Sequence, residues 1–558
     1  MPDGATLMVK SLEREGVKAA FGIPGGAIID FYDRIRDSNI NHILMRHEQG
    51  AAHAADGYAR ASGKQGVCIA TSGPGATNLV TGIANAFLDS SPVVAITGQV
   101  PTHMIGRDAF QEADIVGIVS PITKFAYQVR YTNEIPAIFR KAFQVAVDGR
   151  QGPVLIDVPK DVQQKEVPES VLEETSVNYL RPSRSPDPAK VKSIAKLLCD
   201  SERPLLICGG GVIASGAQDE LLALSDYLMA PVATTLMGKG AIPEDHPLCL
   251  GMLGMHGKAE ANLSTFEADT ILVVGARFSD RSTGKFSEFA KQARLIHIDI
   301  DEAEIGKNIK PQCFMVSDAK LALKAIYDEV VRISKKRENT AWSKRVKELK
   351  DTFVPLYLKE AEGGLSPSKI LRILREELPR ESVVTTGVGQ NQMWAALHFD
   401  AYSPRTFISS GGLGTMGFGF PASIGAKVAR PEVPVFCVDG DGSFLMTSQN
   451  LATVAYYKIA VNVVVMDNRY LGMVKQWQDM FYRGRLSAVE LGETPDMVKL
   501  AEAFGVDGAR VGSYDEFRSA VRKALRSDVC NVIDVPIDPN AKVLPFVPPG
   551  RLLKEMVM

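Results

Sequence analysis

The sequence predicts an α/β protein made of three doubly wound parallel-sheet domains. Three observations predict it. Short runs rich in β-branched residues recur at 66–71, 93–97, 154–158, 205–208, 270–274, 295–300, 383–386, 435–438 and 461–466, with longer helical patterns between them. The runs are continuously apolar rather than alternating, which suits strands buried on both faces of a parallel sheet. Their alternation with helices gives βαβ units. Finally, a polar, proline-bearing stretch at 168–188 and a charged, helical connector at 338–366 divide the chain into 1–165, 188–330 and 366–545. A tail at 546–558, preceded by Pro545 and carrying Pro548 and Pro549, reads equally as a disordered end or as a surface extension or flap over a site.

Composition bounds the class. A chain of 558 residues suggests three or four units at roughly 100–200 residues each. Apolar residues at 45% and charged residues at 23% describe a globular protein. A net charge of −2 offers no electrostatic case for nucleic acid or an anionic membrane surface. Seven scattered cysteines, none in a C-x-x-C pair, predict neither a disulfide framework nor a zinc site, and point to a reducing cytoplasm. No signal or transit segment is expected, because a strand-like run is reached by 17–22. Nor is a membrane span, since no run of about 18 apolar residues occurs.

Along the first part, a strand-like run at 42–45 leads into Arg46-His47-Glu48-Gln49-Gly50-Ala51-Ala52, where Glu48 opens a small-residue helix. The spacing of His47, Glu48 and His53 is not that of H-E-x-x-H, so zinc is not expected there. The loop Thr71-Ser72-Gly73-Pro74-Gly75-Ala76-Thr77-Asn78 follows a strand and is small enough for close ligand approach. In the third part, Gly440-Asp441-Gly442-Ser443 follows the strand at 435–438, and Asn468 follows that at 461–466. Neighbouring parallel strands would deliver Asp441 and Asn468 to one carboxyl edge of the sheet, where open α/β folds bind ligands. One carboxylate and one amide oxygen suit Mg²⁺ completed by water and phosphate oxygens, and Gly442 and Ser443 let backbone N–H groups approach a diphosphate. The run Gly412-Leu413-Gly414-Thr415-Met416-Gly417 fits G-x-G-x-x-G, but no acidic residue follows a second strand as a dinucleotide site requires.

Gly440-Asp441-Gly442 with its distant asparagine resembles the diphosphate–magnesium motif of the thiamine-diphosphate enzymes. The resemblance covers nearly the whole chain, from Phe21-Gly22-Ile23-Pro24-Gly25-Gly26 to beyond Trp477. It implies pyrimidine-binding, central and diphosphate-binding domains. It implies Mg²⁺ on Asp441, Asn468 and the backbone carbonyl of Tyr470. Glu48 is implied as the carboxylate beside the aminopyrimidine, where the cofactor does the carbanion chemistry and the protein positions it. It implies Gly414 and Met416 cupping that ring, Met416 as the wedge that bends the cofactor. Further thiamine contacts implied are Pro24, Gly25, Pro74, Asn78, Val388, Gly389, Gln390, Asn391, Gly440, Gly442, Ser443 and Gly472.

Three segments are similar to the acetolactate synthase family within that group. Asp108-Ala109-Phe110-Gln111-Glu112 implies Phe110 and Gln111 over the reacting carbon. Gly472-Met473-Val474-Lys475-Gln476-Trp477-Gln478 implies an acceptor pocket shaped by Met473 and Trp477, a helical turn apart. Arg277-Phe278-Ser279-Asp280-Arg281 resembles the arginine signature of the FAD-containing members, implying Arg277 on flavin and Arg281 on the second substrate's carboxylate. FAD contacts implied are Gly210, Gly211, Thr235, Leu236, Gly254, Met255, His256, Gly275, Asp299, Ile300 and Asp318, and Lys160 is implied at the substrate channel. Ile23, Ser279 and Asn391 depart from the family pattern, where tyrosine, aspartate and histidine are usual. The expected reaction decarboxylates pyruvate and joins the fragment to pyruvate or 2-oxobutanoate. The products are 2-acetolactate or 2-aceto-2-hydroxybutanoate, and the reaction is the first common step of branched-chain amino-acid biosynthesis. The resemblance implies a homodimer or homotetramer with sites between chains and leaves room for a regulatory small subunit. A pyruvate oxidase or 2-oxo-acid decarboxylase is the nearest alternative; a nicotinamide-linked flavoprotein and a silent scaffold are more distant ones.

Overall fold

A computed structural model describes residues 1–172, 184–357, 364–493 and 495–558. Much of the stretch at 168–188, and the end of that at 338–366, lie outside the described residues. Within the second stretch, the helix Ala341–Tyr357 buries Trp342 and Val346 against the central domain.

The strands gather into three six-stranded sheets, parallel throughout. The first contains β1 (Ala19–Gly22), β2 (Asn41–Leu44), β3 (Gly66–Ala70), β4 (Val93–Gln99), β5 (Phe125–Gln128) and β6 (Val154–Pro159), in the order 2-1-3-4-6-5. The second contains β7 (Pro204–Cys208), β8 (Val232–Thr234), β9 (Cys249–Met252), β10 (Thr270–Val274), β11 (Arg294–Asp299) and β12 (Cys313–Val316), in the order 12-11-10-7-8-9. The third contains β13 (Val383–Thr386), β14 (Phe407–Ile408), β15 (Val435–Gly440), β16 (Val461–Asp467), β17 (Asp507–Arg510) and β18 (Asn531–Pro536), in the order 14-13-15-16-18-17. The outer sheets therefore share one order, while the middle sheet has that of a dinucleotide-binding fold, reversing between β7 and β10.

Residues such as Val435–Val438 and Val461–Val465 are fully enclosed, as helices on both faces require. The sequence runs miss β5, β12, β14 and β17, which are short edge strands, half-exposed or polar in most cases. They also miss β8, β9 and the interior β18. No helix among the described residues is long and apolar enough to cross a membrane.

The first and third domains share one core, built where the helices Glu48–Ser62 and Gly419–Ala429 pack together. Glycine permits that approach: a Cβ on Gly57 would lie 2.1 Å from the Ala422 carbonyl oxygen, and one on Gly425 1.8 Å from that of Ala54. Both obstacles are backbone, so Gly425→Ala is expected to destabilise the protein by about 1–3 kcal/mol through overpacking. Thermal unfolding measures this, and an unchanged melting temperature would refute the account.

The tail also packs. Phe546, Val547 and Leu553 are buried, the Val547 N–H donates to the Met255 carbonyl at 2.8 Å, and Phe546 bridges back to Val557. Of the two readings of this segment, the disordered end does not hold.

Candidate active site

At the carboxyl edge of the third sheet, Gly440 pairs with Met466 in register, so Asp441 and Asn468 leave adjacent strand ends. Asp441 is 3% exposed and Asn468 7%. Asp441 Oδ2 accepts from the Arg469 N–H at 2.9 Å, and Asn468 Oδ1 from the Tyr470 N–H at 3.0 Å. Tyr470 faces Glu490 in an antiparallel bridge whose hydrogen bonds run through Leu471 and Arg469, leaving its carbonyl directed elsewhere. Burial, then the neighbouring Asp467, hold the Asp441 carboxyl well above the usual carboxylate range. Asp467 is itself paired with Arg469 at 3.0 Å, so the carboxylate of Asp441, the amide oxygen of Asn468 and the Tyr470 carbonyl form the hard, all-oxygen donor set that suits a cation such as Mg²⁺.

Three helices begin beside these ligands: Gln390–His398, Asp441–Leu445 and Gly472–Phe481. Their N-caps, Gly389, Gly440 and Leu471, supply no side-chain cap. The open N–H groups of such ends suit a diphosphate. Close packing forbids side chains here: a Cβ on Gly387 would lie 1.6 Å from Asp439 Oδ1, and one on Gly472 2.1 Å from Gln390 Oε1. Ser443 Oγ accepts from the Gly417 N–H at 3.0 Å and the Val388 N–H at 3.4 Å, joining three loops. Asn391 donates to the Val438 carbonyl at 3.2 Å, with its oxygen turned toward Gly440. Gly442 approaches Leu471 and Met416.

Gly414, at φ +72°, and Met416 lie on a loop gripped by helices of the first domain. Asp89 accepts from the N–H groups of Gly411 at 3.1 Å and Gly412 at 2.6 Å. Burial pushes its carboxyl up to about 6 against the opposing pull of Arg60. Asn85 donates to Asp56 at 2.8 Å and accepts from the hydroxyls of Ser410 at 2.5 Å and Thr415 at 3.1 Å. Sequence reasoning missed Asp56, Asn85 and Asp89; their only signal was polarity inside small-residue and apolar helices.

The central domain opens into a cavity of about 1760 Å³, which exceeds an ordinary small-molecule site. Gly210, Gly211 and Gly275 line it at the switch point, where the Gly211 N–H donates to the Gly275 carbonyl at 3.1 Å. Thr235, Leu236, Met255, His256, Arg277, Asp299, Ile300 and Asp318 also line it. Gly254 does not; its turn, at φ +118°, backs onto the Arg281 carbonyl. Burial, then Arg281, push His256 down to about 4, while burial raises Asp299 to about 6. Strand order, glycine contacts and size together fit a dinucleotide such as FAD.

The same cavity continues to Arg281, Met473, Trp477, Val388, Gly389, Gly414 and Met416. Arg281 lies 6.0 Å over the Trp477 ring, with Nη1 3.1 Å from Met255 Sδ, and the Trp477 indole N–H is buried without a partner.

A second group lies apart. Asn78 donates to Glu48 Oε2 at 3.0 Å beside Gly75. Gln111, at φ +59°, covers Gly73 next to Pro74, and Phe110 is 87% exposed. The turn holding them is tied by Glu112, which accepts from the N–H groups of Gly106 and Ala109. Gly25 abuts Thr71, next to Pro24, and Lys160 donates to the Gly26 carbonyl at 3.1 Å. All sit at carboxyl ends of first-sheet strands or on the loops beyond them, and none lines the cavity. Glu48 is half-buried in the chain. Within one chain, this group and the cavity share no lining residue.

Family models match all three domains: the N-terminal thiamine pyrophosphate-binding domain over residues 2–118, the central domain of these enzymes over 191–326, and their C-terminal thiamine pyrophosphate-binding domain over 387–535. The fold and these matches are those of a thiamine pyrophosphate enzyme. The chain is 51% identical to a probable acetolactate synthase large subunit of Methanocaldococcus jannaschii, over 99% of this chain and 95% of that one. It is 46% identical to the acetolactate synthase large subunit of Parasynechococcus marenigrum, over 99% and 90%. Against the acetolactate synthase isozyme 2 large subunit of Escherichia coli it is 44% identical, over 100% and 99%. The chain belongs to the acetolactate synthase large-subunit family.

Proposed function

We propose that the chain is an acetolactate synthase catalytic subunit acting on pyruvate, with pyruvate or 2-oxobutanoate as acceptor. The observation carrying this is the Arg281–Trp477 pair, with its unpartnered indole N–H, on the wall of the cavity that also contains Gly414 and Met416. Bound thiamine diphosphate supplies the nucleophilic carbon and the electron sink for loss of carbon dioxide. Asp441, Asn468 and the Tyr470 carbonyl would hold Mg²⁺, and the uncapped helix ends beside them would receive the diphosphate. Glu48 holds the proton at pyrimidine N1′, and Gly414 and Met416 fix the ring and its bend. Arg281 binds the acceptor carboxylate through its planar fork, while Trp477 and Met473 size the pocket for the acceptor's alkyl group. Phe110 and Gln111 cover the reacting carbon, and Lys160 stands at the channel. FAD in the central cavity serves a structural role, because the reaction has no net redox change.

Separation of Glu48, Gln111 and Lys160 from the cavity supports a homodimer or larger assembly in which a second chain completes each site. The relatives' description as large subunits supports a regulatory small-subunit partner. Seven unpaired cysteines support a reducing, cytoplasmic setting.

Incubation of the purified chain with pyruvate, thiamine diphosphate, Mg²⁺ and FAD is expected to yield acetolactate. Carbon dioxide with acetaldehyde or acetate instead would move the protein to the decarboxylase or oxidase branch, against which Arg281 and Trp477 argue. A bound flavin bleached by NAD(P)H, with no need for thiamine, would overturn the reading altogether.

A further inference from the structure

Asn468 can offer a cation either an oxygen or an NH₂ group, and only the oxygen binds. Its orientation is set by a buried ladder of amides. The Val543 N–H donates to Gln476 Oε1 at 2.9 Å, and Gln476 Nε2 faces the Val543 carbonyl at 3.3 Å. Gln390 Nε2 donates to Gln476 Oε1 and to the Ala541 carbonyl, both at 2.9 Å. Gln390 Oε1 accepts from Asn468 Nδ2 at 3.1 Å, and Asn468 Oδ1 accepts from the Tyr470 N–H. Amide orientation is usually ambiguous, but here main-chain groups, whose roles cannot invert, fix both ends. Val543 determines Gln476, Gln476 and Ala541 together hold Gln390 Nε2, and Gln390 and Tyr470 together hold Asn468. Gln476 is 2% exposed and Gln390 5%, so water does not compete for these bonds.

We propose that Gln476 is a positioning residue: through Gln390 it holds the oxygen of Asn468 toward the cation. Gln476 belongs to the helix Gly472–Phe481, which also carries Met473 and Trp477, so one helix serves both the acceptor pocket and the metal. The inference rests on the magnesium reading given above.

The test uses the full-length protein with FAD and saturating thiamine diphosphate. Mn²⁺, another hard cation of the same preference, is titrated by loss of its free-ion electron paramagnetic resonance signal. Gln476→Leu is expected to weaken Mn²⁺ binding several-fold, less than the about 10–100-fold usual when a group bonded directly to a ligand is removed, because Gln476 acts one step further out, through Gln390. FAD content should stay at the wild-type level. Gln476→Glu, which keeps an acceptor facing both donors, should stay closer to wild type than Gln476→Leu. In an Asn468→Asp background either side-chain atom is oxygen, so adding Gln476→Leu should change affinity little. Gln476→Met, which removes the amide with a smaller change of shape, should behave as Gln476→Leu does in both backgrounds and serves if Gln476→Leu does not fold. Equal losses with and without the Asn468→Asp change, or wild-type affinity in Gln476→Leu, would overturn the inference alone. A wild-type protein that binds no Mn²⁺ with thiamine diphosphate present would overturn the magnesium reading and this inference with it.

Discussion

Glu48→Gln is expected to lower acetolactate formation by about 10²–10⁴-fold, the range for loss of a positioned proton-transfer group. Glutamine has the shape of glutamate and keeps an oxygen for Asn78, so the helix it opens should form as before. What it loses is the negative charge that favours a proton on the facing ring nitrogen. The loss should therefore fall on kcat, with thiamine diphosphate affinity and FAD content changing far less. A variant retaining a third or more of wild-type activity would remove Glu48 from the reaction. Loss of FAD or of the fold would instead mark it as structural.

Asp441→Ala is expected to remove the metal and the affinity for thiamine diphosphate that depends on it, by at least about 100-fold. That exceeds the effect of an outer-shell change because a ligand itself is lost. Stability should move differently. In the apoprotein Asp441 lies buried against Asp467, and burial with like charge disfavours its ionised form. Removing it relieves that repulsion, so the melting temperature without ligands should not fall. The stabilisation that thiamine diphosphate with Mg²⁺ gives the wild type, through binding only the folded state, should vanish. A variant still stabilised by the pair would show that the metal lies elsewhere.

Most interior strands were legible because burial on both faces leaves a continuous apolar run, as at 435–438 and 461–466; β8 and β18 escaped because the first is three residues long and the second carries Asn531 and Asp534. Edge strands such as β5 and β17 were not, because one side meets solvent and the composition follows it. Asp441 and Asn468 were legible because each directly follows its strand, and parallel neighbours carry both to one edge. Asn85 and Asp89 act on a loop more than three hundred residues away in sequence, and no local pattern encodes such a contact. Gln476 stood within a recognised motif, yet its role depends on Ala541 and Val543, which no spacing rule connects to it. The grouping of Glu48 with Asp441 came from family resemblance alone, and within a single chain Glu48 and its neighbours stand outside the cavity that holds Arg281 and Trp477.

That separation makes activity a matter of mass action. If each working centre needs halves from two chains, a monomer with every residue intact and every cofactor bound is idle, and dilution silences the enzyme without unfolding it. It also separates inheritance from location. Damage at Glu48 on one chain and at Asp441 on its partner leaves one centre of the pair whole, whereas both lesions on one chain spoil both centres even beside an intact partner.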